Sequence, residues 1–126
     1  MFRLLFLIAL LQFHQPVFST EDTVSQAVAR YLTRIHKYME DEDWINAKRE
    51  LEVTARRYFK NEDSYERALI NQLYGQFYAL QRDYKNAIPW FEKAVAKGRL
   101  PFAADLQVSA RLAQCYCQTG RYKDCL

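Results

Sequence analysis

The residues of this 126-residue chain that could take part in nucleophilic or metal chemistry are few and far apart. There are two histidines, His14 and His36, and three cysteines, which all lie within the last twelve residues. A Cys–His nucleophile needs a base held against the thiol, and a histidine-rich metal site needs more than one imidazole. His14 lies in an N-terminal segment that we expect to be removed, and no supporting base or orienting group accompanies His36. We therefore expect a non-enzymatic protein with no catalytic residues, no resident metal and no cofactor.

Two charged clusters have the spacing of solvent-exposed surfaces. The acidic run 40–43 lacks the alternating ligands and the glycine of a calcium loop. Lys48-Arg49 and Arg56-Arg57 form a small basic patch, for which an acidic partner is the minor alternative. The net charge is only +3 and the isoelectric point about 8.8. We expect no nucleic-acid partner, because such domains usually carry a clustered basic face and a higher isoelectric point.

The first nineteen residues have the layout of a secretory signal peptide. Arg3 precedes an apolar run over 4–11, and Val17 and Ser19 are small residues placed for cleavage after Ser19. A membrane span takes about 20 apolar residues, so this run is too short. We expect residues 1–19 to be removed and residues 20–126 to fold in the periplasm or outside the cell, with membranes met only through a partner. An uncleaved anchor and an apolar first helix are the alternatives.

Apolar residues three and four positions apart predict an all-α domain. The pattern predicts helices over 23–39, 44–59, 65–80, 84–97 and 102–118, and the opening turn of a sixth from 122. Gly98 and Pro101 form a strong helix stop. With 3 glycines and 3 prolines, the chain has too few turn residues for a β-sandwich. The helices form three helix–turn–helix pairs, the last one short.

The cysteines are expected to meet an oxidising compartment after export, where they can pair. Their odd number leaves at least one unpaired. Cys115 and Cys117 are two positions apart on a predicted helix and so point in nearly opposite directions, which excludes a bridge between them. The pairing is otherwise open.

The three pairs align with each other at offsets of about 38–40 residues. In the middle pair, the small residues Gly75 and Ala87 stand where the two helices should cross. The larger residues around them are Tyr74, Tyr78, Tyr84 and Phe91, and a further small residue, Ala94, follows. The third has Leu112, Ala113, Tyr116, Gly120, Tyr122 and Cys125. The first keeps Tyr31, Tyr38, Trp44, Ala47 and Leu51, with Ile35 and Thr54 at positions for small residues. Small residues let two helix backbones approach, and the aromatic rings fill the space beside them.

This pattern resembles the tetratricopeptide repeat. The resemblance implies a right-handed α-solenoid with repeats at about 28–60, 68–101 and 106–126, the last incomplete. It also implies a concave face, lined by the first helix of each pair, that binds a protein or peptide. By this alignment the partner-binding residues are Leu32, His36, Met39, Leu69, Gln72, Gln76, Ala79, Gln107, Ala110, Gln114 and Gln118.

The same alignment places Ala29, Glu40, Leu80 and Cys117 on this face. None of these positions carries Lys, Arg or Asn, so the carboxylate clamp of chaperone-binding relatives is not carried over. An extended or helical segment of mixed polarity is the expected ligand. The alternative is that these side chains simply pack against a neighbouring helix.

Residues 106–116, with Gly120-Arg121-Tyr122, also resemble the repeat protein that accompanies TonB–ExbB–ExbD energy-transduction systems of Gram-negative bacteria. This resemblance implies a periplasmic adaptor that assists TonB-linked uptake or envelope assembly. The alternative is the N-terminal scaffold of a larger exported protein whose activity lies elsewhere. Because the last pair lacks a polar cap, Leu112, Tyr116, Tyr122 and Leu126 would be left uncovered, and we expect either a longer repeat protein or self-association through this end.

Overall fold

The computed structural model describes residues 24–58 and 60–125, which form α-helices and no β-strand. The expected signal peptide over 1–19 and its cleavage after Ser19 lie outside these residues. The helices are α1 (Gln26–Glu40), α2 (Trp44–Tyr58), α3 (Tyr65–Leu80), α4 (Tyr84–Val95), α5 (Phe102–Gln118) and α6 (Tyr122–Cys125). The prediction of an all-α chain is confirmed.

The helix boundaries follow local capping interactions. The predicted limits of α3 and α5 are the observed ones. The first helix starts later than expected because Ser25 caps it, its Oγ accepting the Val28 N–H at 3.3 Å. The fourth ends at Val95, two residues before the predicted end, where the chain turns into Gly98 with a φ of 61°. Helix ends are therefore set by single caps that periodicity does not detect.

The helices pack in chain order, each against the next. A first core joins α1, α2 and α3 through the wholly buried Ile35, Leu51 and Ile70. A second core joins α3, α4 and α5, with Phe91 and Val108 at its centre. Because α3 contributes to both cores, it is buried on two sides and carries the largest number of buried residues of any helix.

The turn inside each helix pair has the same backbone geometry. A left-handed residue stands at the same point of each turn, with φ of 56° at Glu42, 61° at Arg82 and 80° at Gly120. The next residue donates its N–H to a tyrosine carbonyl five positions back, in the bonds Asp43 to Tyr38 (2.8 Å), Asp83 to Tyr78 (2.9 Å) and Arg121 to Tyr116 (2.8 Å). The described residues thus contain three copies of one helix–turn–helix connection.

We expect Arg82→Gly to raise the free energy of unfolding by about 0.5–1 kcal/mol. A side chain in the left-handed region costs roughly 1–2 kcal/mol, and glycine's larger freedom in the unfolded chain offsets part of that gain. Urea denaturation followed by circular dichroism measures the change. Arg82→Ala is the control, because it removes the charge and keeps the strain. An equal gain from Arg82→Ala would contradict the backbone explanation.

A disulfide joins the last two helices. It links Cys117 on α5 to Cys125 at the end of α6, with 5.1 Å between their Cα atoms. Cys115 remains a free, buried thiol in the second core, and burial raises its pKa. A helix of four residues is too short to be stable alone, so the disulfide holds α6 against α5.

Candidate functional site

A groove between α1 and α3 brings together residues from both helices that the sequence assigned to partner binding. Its volume is about 330 Å³. Three of the predicted residues, His36, Met39 and Gln76, contribute to its lining. Glu40 and Leu80, which the alignment also places on the concave face, line the groove as well, together with Glu42 and Trp44.

The groove combines an apolar surface with negative charge. Met39 is only 4% exposed and belongs to the first core, and the Trp44 ring meets Phe77 edge-on at 5.8 Å between centroids. The exposed Glu40 and Glu42 add carboxylates beside this surface. Such a site can hold an apolar side chain of a partner whose neighbouring groups are polar or cationic.

The remaining predicted residues do not line this groove. Leu32 packs against the first core, whereas Leu69 and Ala79 pack against the second. Gln72 is half-buried on α3. The α5 residues are exposed, which are Gln107, Ala110, Gln114 and Gln118. The structure therefore brings together only His36, Met39 and Gln76 of the predicted α1 and α3 residues, and leaves those of α5 as a separate exposed row.

The residues expected to support self-association are divided. Leu112 and Tyr116 are half-buried against the second core, whereas Tyr122 is 70% exposed. Leu126 lies outside the described residues. Phe102 and Leu106, at 83% and 60% exposed, add apolar surface to the same helix pair. Self-association stays a prediction.

A second cavity, of about 180 Å³, lies between the first half of α3 and the end of α4. Its lining includes Asn71, which is 5% exposed and whose buried Oδ1 has no hydrogen-bond partner among the described residues. The lining also contains Glu62, Arg67, Lys93, Ala96 and Lys97. The sequence analysis did not predict this cavity. One signal was present: Asn71 occupies a repeat position where a large side chain is expected.

Aromatic side chains fix the wall beside this cavity. The rings of Tyr74 and Trp90 stack with their centroids 4.1 Å apart, and the Lys93 Nζ lies 4.7 Å from the Trp90 centroid. Burial raises the pKa of Tyr74 to about 12, so its hydroxyl stays neutral at physiological pH. The contact with the Trp90 ring is a cation–π interaction, which holds the Lys93 ammonium at the lining of the cavity.

Among residues 24–58 and 60–125, no group of three His, Cys, Asp or Glu side chains is arranged to hold a metal ion. No helix in these ranges is long and apolar enough to cross a membrane. His36 is exposed in the groove, and the free thiol of Cys115 is buried at the other end of the array. The absence of enzymatic activity and of cofactors stays a prediction.

Comparison of the chain with models of protein families, with curated proteins and with solved structures finds no match.

Proposed function

We propose that this chain is a tetratricopeptide-type repeat protein that binds a protein or peptide segment as a non-enzymatic adaptor. The three equivalent turns support the repeat, as does the burial of Gly75 and Ala87 where α3 and α4 approach. The observation that carries the binding function is the groove in which His36, Met39 and Gln76 meet. These residues come from two repeats, as expected for a partner that runs across the array.

The groove favours a segment of mixed polarity. An apolar side chain of the partner would pack against Trp44 and against Leu80, which is 53% exposed, and this contact would remove apolar surface from water. The Gln76 amide can donate to and accept from the partner's backbone. Glu40 and Glu42 would attract a cationic residue on either side of the apolar anchor. Recognition would thus depend on an apolar side chain of the partner, on hydrogen bonds to the Gln76 amide and on cationic residues that face Glu40 and Glu42.

We expect the double variant Gln76→Arg and Gln114→Arg to weaken partner capture by tenfold or more. The two cations place bulk and positive charge on the binding face, on α3 and on the exposed row of α5. The measurement is capture of partners from periplasmic extract, identified by mass spectrometry. Circular dichroism and melting temperature should change little, because Gln76 is only half-buried and Gln114 is exposed.

The matched control is Gln26→Arg, which makes the same change at an exposed position at the start of α1, away from the groove. It should capture the partner as the natural chain does. Equal capture by the double variant and the control would place the partner on another face.

We propose that the adaptor acts after export, assisting TonB-linked energy transduction or envelope assembly. The export proposal is supported by the basic start, the apolar run and the small residues before Thr20. N-terminal sequencing of the exported protein should begin at Thr20. A membrane-bound product that retains Met1 would contradict this localisation. Recovery of an energy-transduction component in the capture experiment would support the more specific role.

A further inference from the structure

One apolar position of the repeat is buried in the first two helix pairs and exposed in the third. Val28 on α1, Ala68 on α3 and Leu106 on α5 are equivalent to each other, at offsets of forty and thirty-eight residues. Val28 is 1% exposed and Ala68 is 5% exposed, whereas Leu106 is 60% exposed. The third pair therefore leaves open a position that the other two pairs cover.

In the first two pairs this position shares a core with the second helix of the pair. Val28 belongs to the first core together with Leu51 of α2, and Ala68 belongs to the second core together with Phe91 of α4. Leu51 and Phe91 are themselves forty residues apart. Turns of three residues join α1 to α2 and α3 to α4, so each second helix runs antiparallel to the first. The position is thus suited to an antiparallel helix with an apolar face.

The described part of α6 does not reach this position in the third pair. It has four residues, and the disulfide attaches it to α5 at Cys117. Leu106 lies eleven residues, or about three helical turns, before Cys117. Phe102, one turn further back, is 83% exposed. The first half of α5 therefore presents apolar side chains that no described helix covers.

Phe102 and Leu106 belong to a narrow stripe of uncharged residues along α5. A helix turns by about 100° per residue, so five residues of α5 fall within about 80° of its circumference. These residues, which we call the α5 stripe, are Phe102, Leu106, Ala110, Ala113 and Cys117. The two charged residues of α5, Asp105 and Arg111, lie outside this arc. The core of an interface between proteins is depleted of charge in the same way.

The other end of the array is polar, which disfavours head-to-tail stacking of copies. Helix α3 contributes the buried Ile70 and Phe77 to the core that it shares with the first pair. Forty residues earlier, α1 has Arg30 and Lys37 at these positions, and both are exposed. Stacking α1 of one copy on α5 of another would remove both cations from water, which costs free energy. The stripe is therefore better matched by the same stripe on a second copy.

We propose that this chain forms a two-fold symmetric dimer in which the two α5 stripes pack against each other. A two-fold axis perpendicular to α5 makes the two α5 helices antiparallel, which is the direction in which α2 and α4 run along α1 and α3. Each copy covers Leu106 of the other, so both apolar patches leave water together. Ala110, which the repeat register assigned to partner binding, becomes part of the contact between copies. This inference is independent of the groove between α1 and α3.

Sedimentation equilibrium of the protein purified after export tests the proposal from micromolar to millimolar concentrations. We expect the mean mass to rise from one chain to two and to stop there, because an interface that uses the same patch on both copies is closed. Backbone amide shifts followed by NMR over the same range should change at 102–113. A mass that stays at one chain, a mass that rises past two, or shifts confined to other helices would overturn the proposal.

A pair of variants locates the contact. Leu106→Glu should raise the dissociation constant of the dimer at least tenfold, because the symmetry introduces the change twice and each carboxylate would lose water. Its circular dichroism should match that of the natural chain, since Leu106 is mostly exposed. The matched control is Ile45→Glu, the same change at an aliphatic residue of α2 that is 76% exposed, and it should dimerise as the natural chain does. Undiminished dimerisation of Leu106→Glu would place the contact on another face and overturn the proposal.

Discussion

The variant Leu51→Ala is expected to lose about 2–5 kcal/mol of unfolding free energy, the cost of truncating a buried leucine. Leu51 is wholly buried in the first core, where it packs among residues of α1, α2 and α3. Single domains are stable by only about 5–15 kcal/mol, so this loss would be a large fraction of the total. Urea denaturation monitored by circular dichroism measures it.

The matched control for this variant lies on the same helix. Ile45 is also a large aliphatic residue of α2, but it is 76% exposed. Ile45→Ala should therefore change stability by about 0.5 kcal/mol or less. A loss of stability from Leu51→Ala as small as that from Ile45→Ala would mean that α2 does not bury the face on which Leu51 lies. Hydrogen exchange adds a second readout, because α1 and α2 should lose protection before α5.

Adding one methyl group at Gly75 should destabilise the chain even though alanine is the better helix former. A Cβ built on Gly75 contacts the Phe91 ring, lying 2.8 Å from its Cγ and closer still to Cδ1 and Cε1. Phe91 is wholly buried in the second core, so the ring has little room to move. Overpacking of this kind costs about 1–3 kcal/mol and occasionally more, against a helix-propensity gain of about 1 kcal/mol. Because three atoms of the Phe91 ring lie within 2.8 Å of the added Cβ, the cost should fall in the upper part of that range, which leaves a net loss of about 1–2 kcal/mol for Gly75→Ala.

A double-mutant cycle identifies the cause of that loss. Phe91→Leu alone should destabilise the second core, but it also shortens the group that Gly75→Ala would strike. The two changes together should therefore cost less than the sum of the single changes, by about 0.5–3 kcal/mol. Strict additivity, or a Gly75→Ala variant that melts above the natural chain, would show that α3 and α4 are farther apart than described here.

The sequence predicted the helices well because their breaks are chemically distinct. The polar run 60–64 ends at Ser64, whose Oγ accepts the Arg67 N–H at 3.0 Å, and α3 begins where expected. Pro101 stands at the N-cap position of α5 without a side-chain hydrogen bond, and the predicted start of that helix is nevertheless the observed one. The start of α1 was less predictable, because several polar residues near Ser25 could have served as its cap. Periodicity locates a helix, whereas single hydrogen bonds decide its ends.

The candidate sites were only partly predictable. Repeat register placed His36, Met39 and Gln76 on one groove, because residues at equivalent repeat positions recur on neighbouring first helices. It could not reveal the cavity at Asn71, since one polar residue in an apolar stripe says nothing about the space left by the facing helix. Spacing excluded a bridge between Cys115 and Cys117, but the partner of Cys117 depended on where α6 folds back.

The disulfide also determines how tension would pass through the chain. Force follows the shortest covalent path, so a pull applied at Cys125 would enter α5 directly at Cys117. The residues between the two cysteines, which include α6, would bear no load, so they would add nothing to the length to which the oxidised protein can be stretched. Breaking the sulfur bridge would release these residues and lengthen the stretched chain by about 21–24 Å, which is the extended length of eight residues at 3.3–3.6 Å each less the 5.1 Å between the bridged Cα atoms. The oxidised and reduced chains would then differ in mechanical length while sharing one set of helices over 26–118.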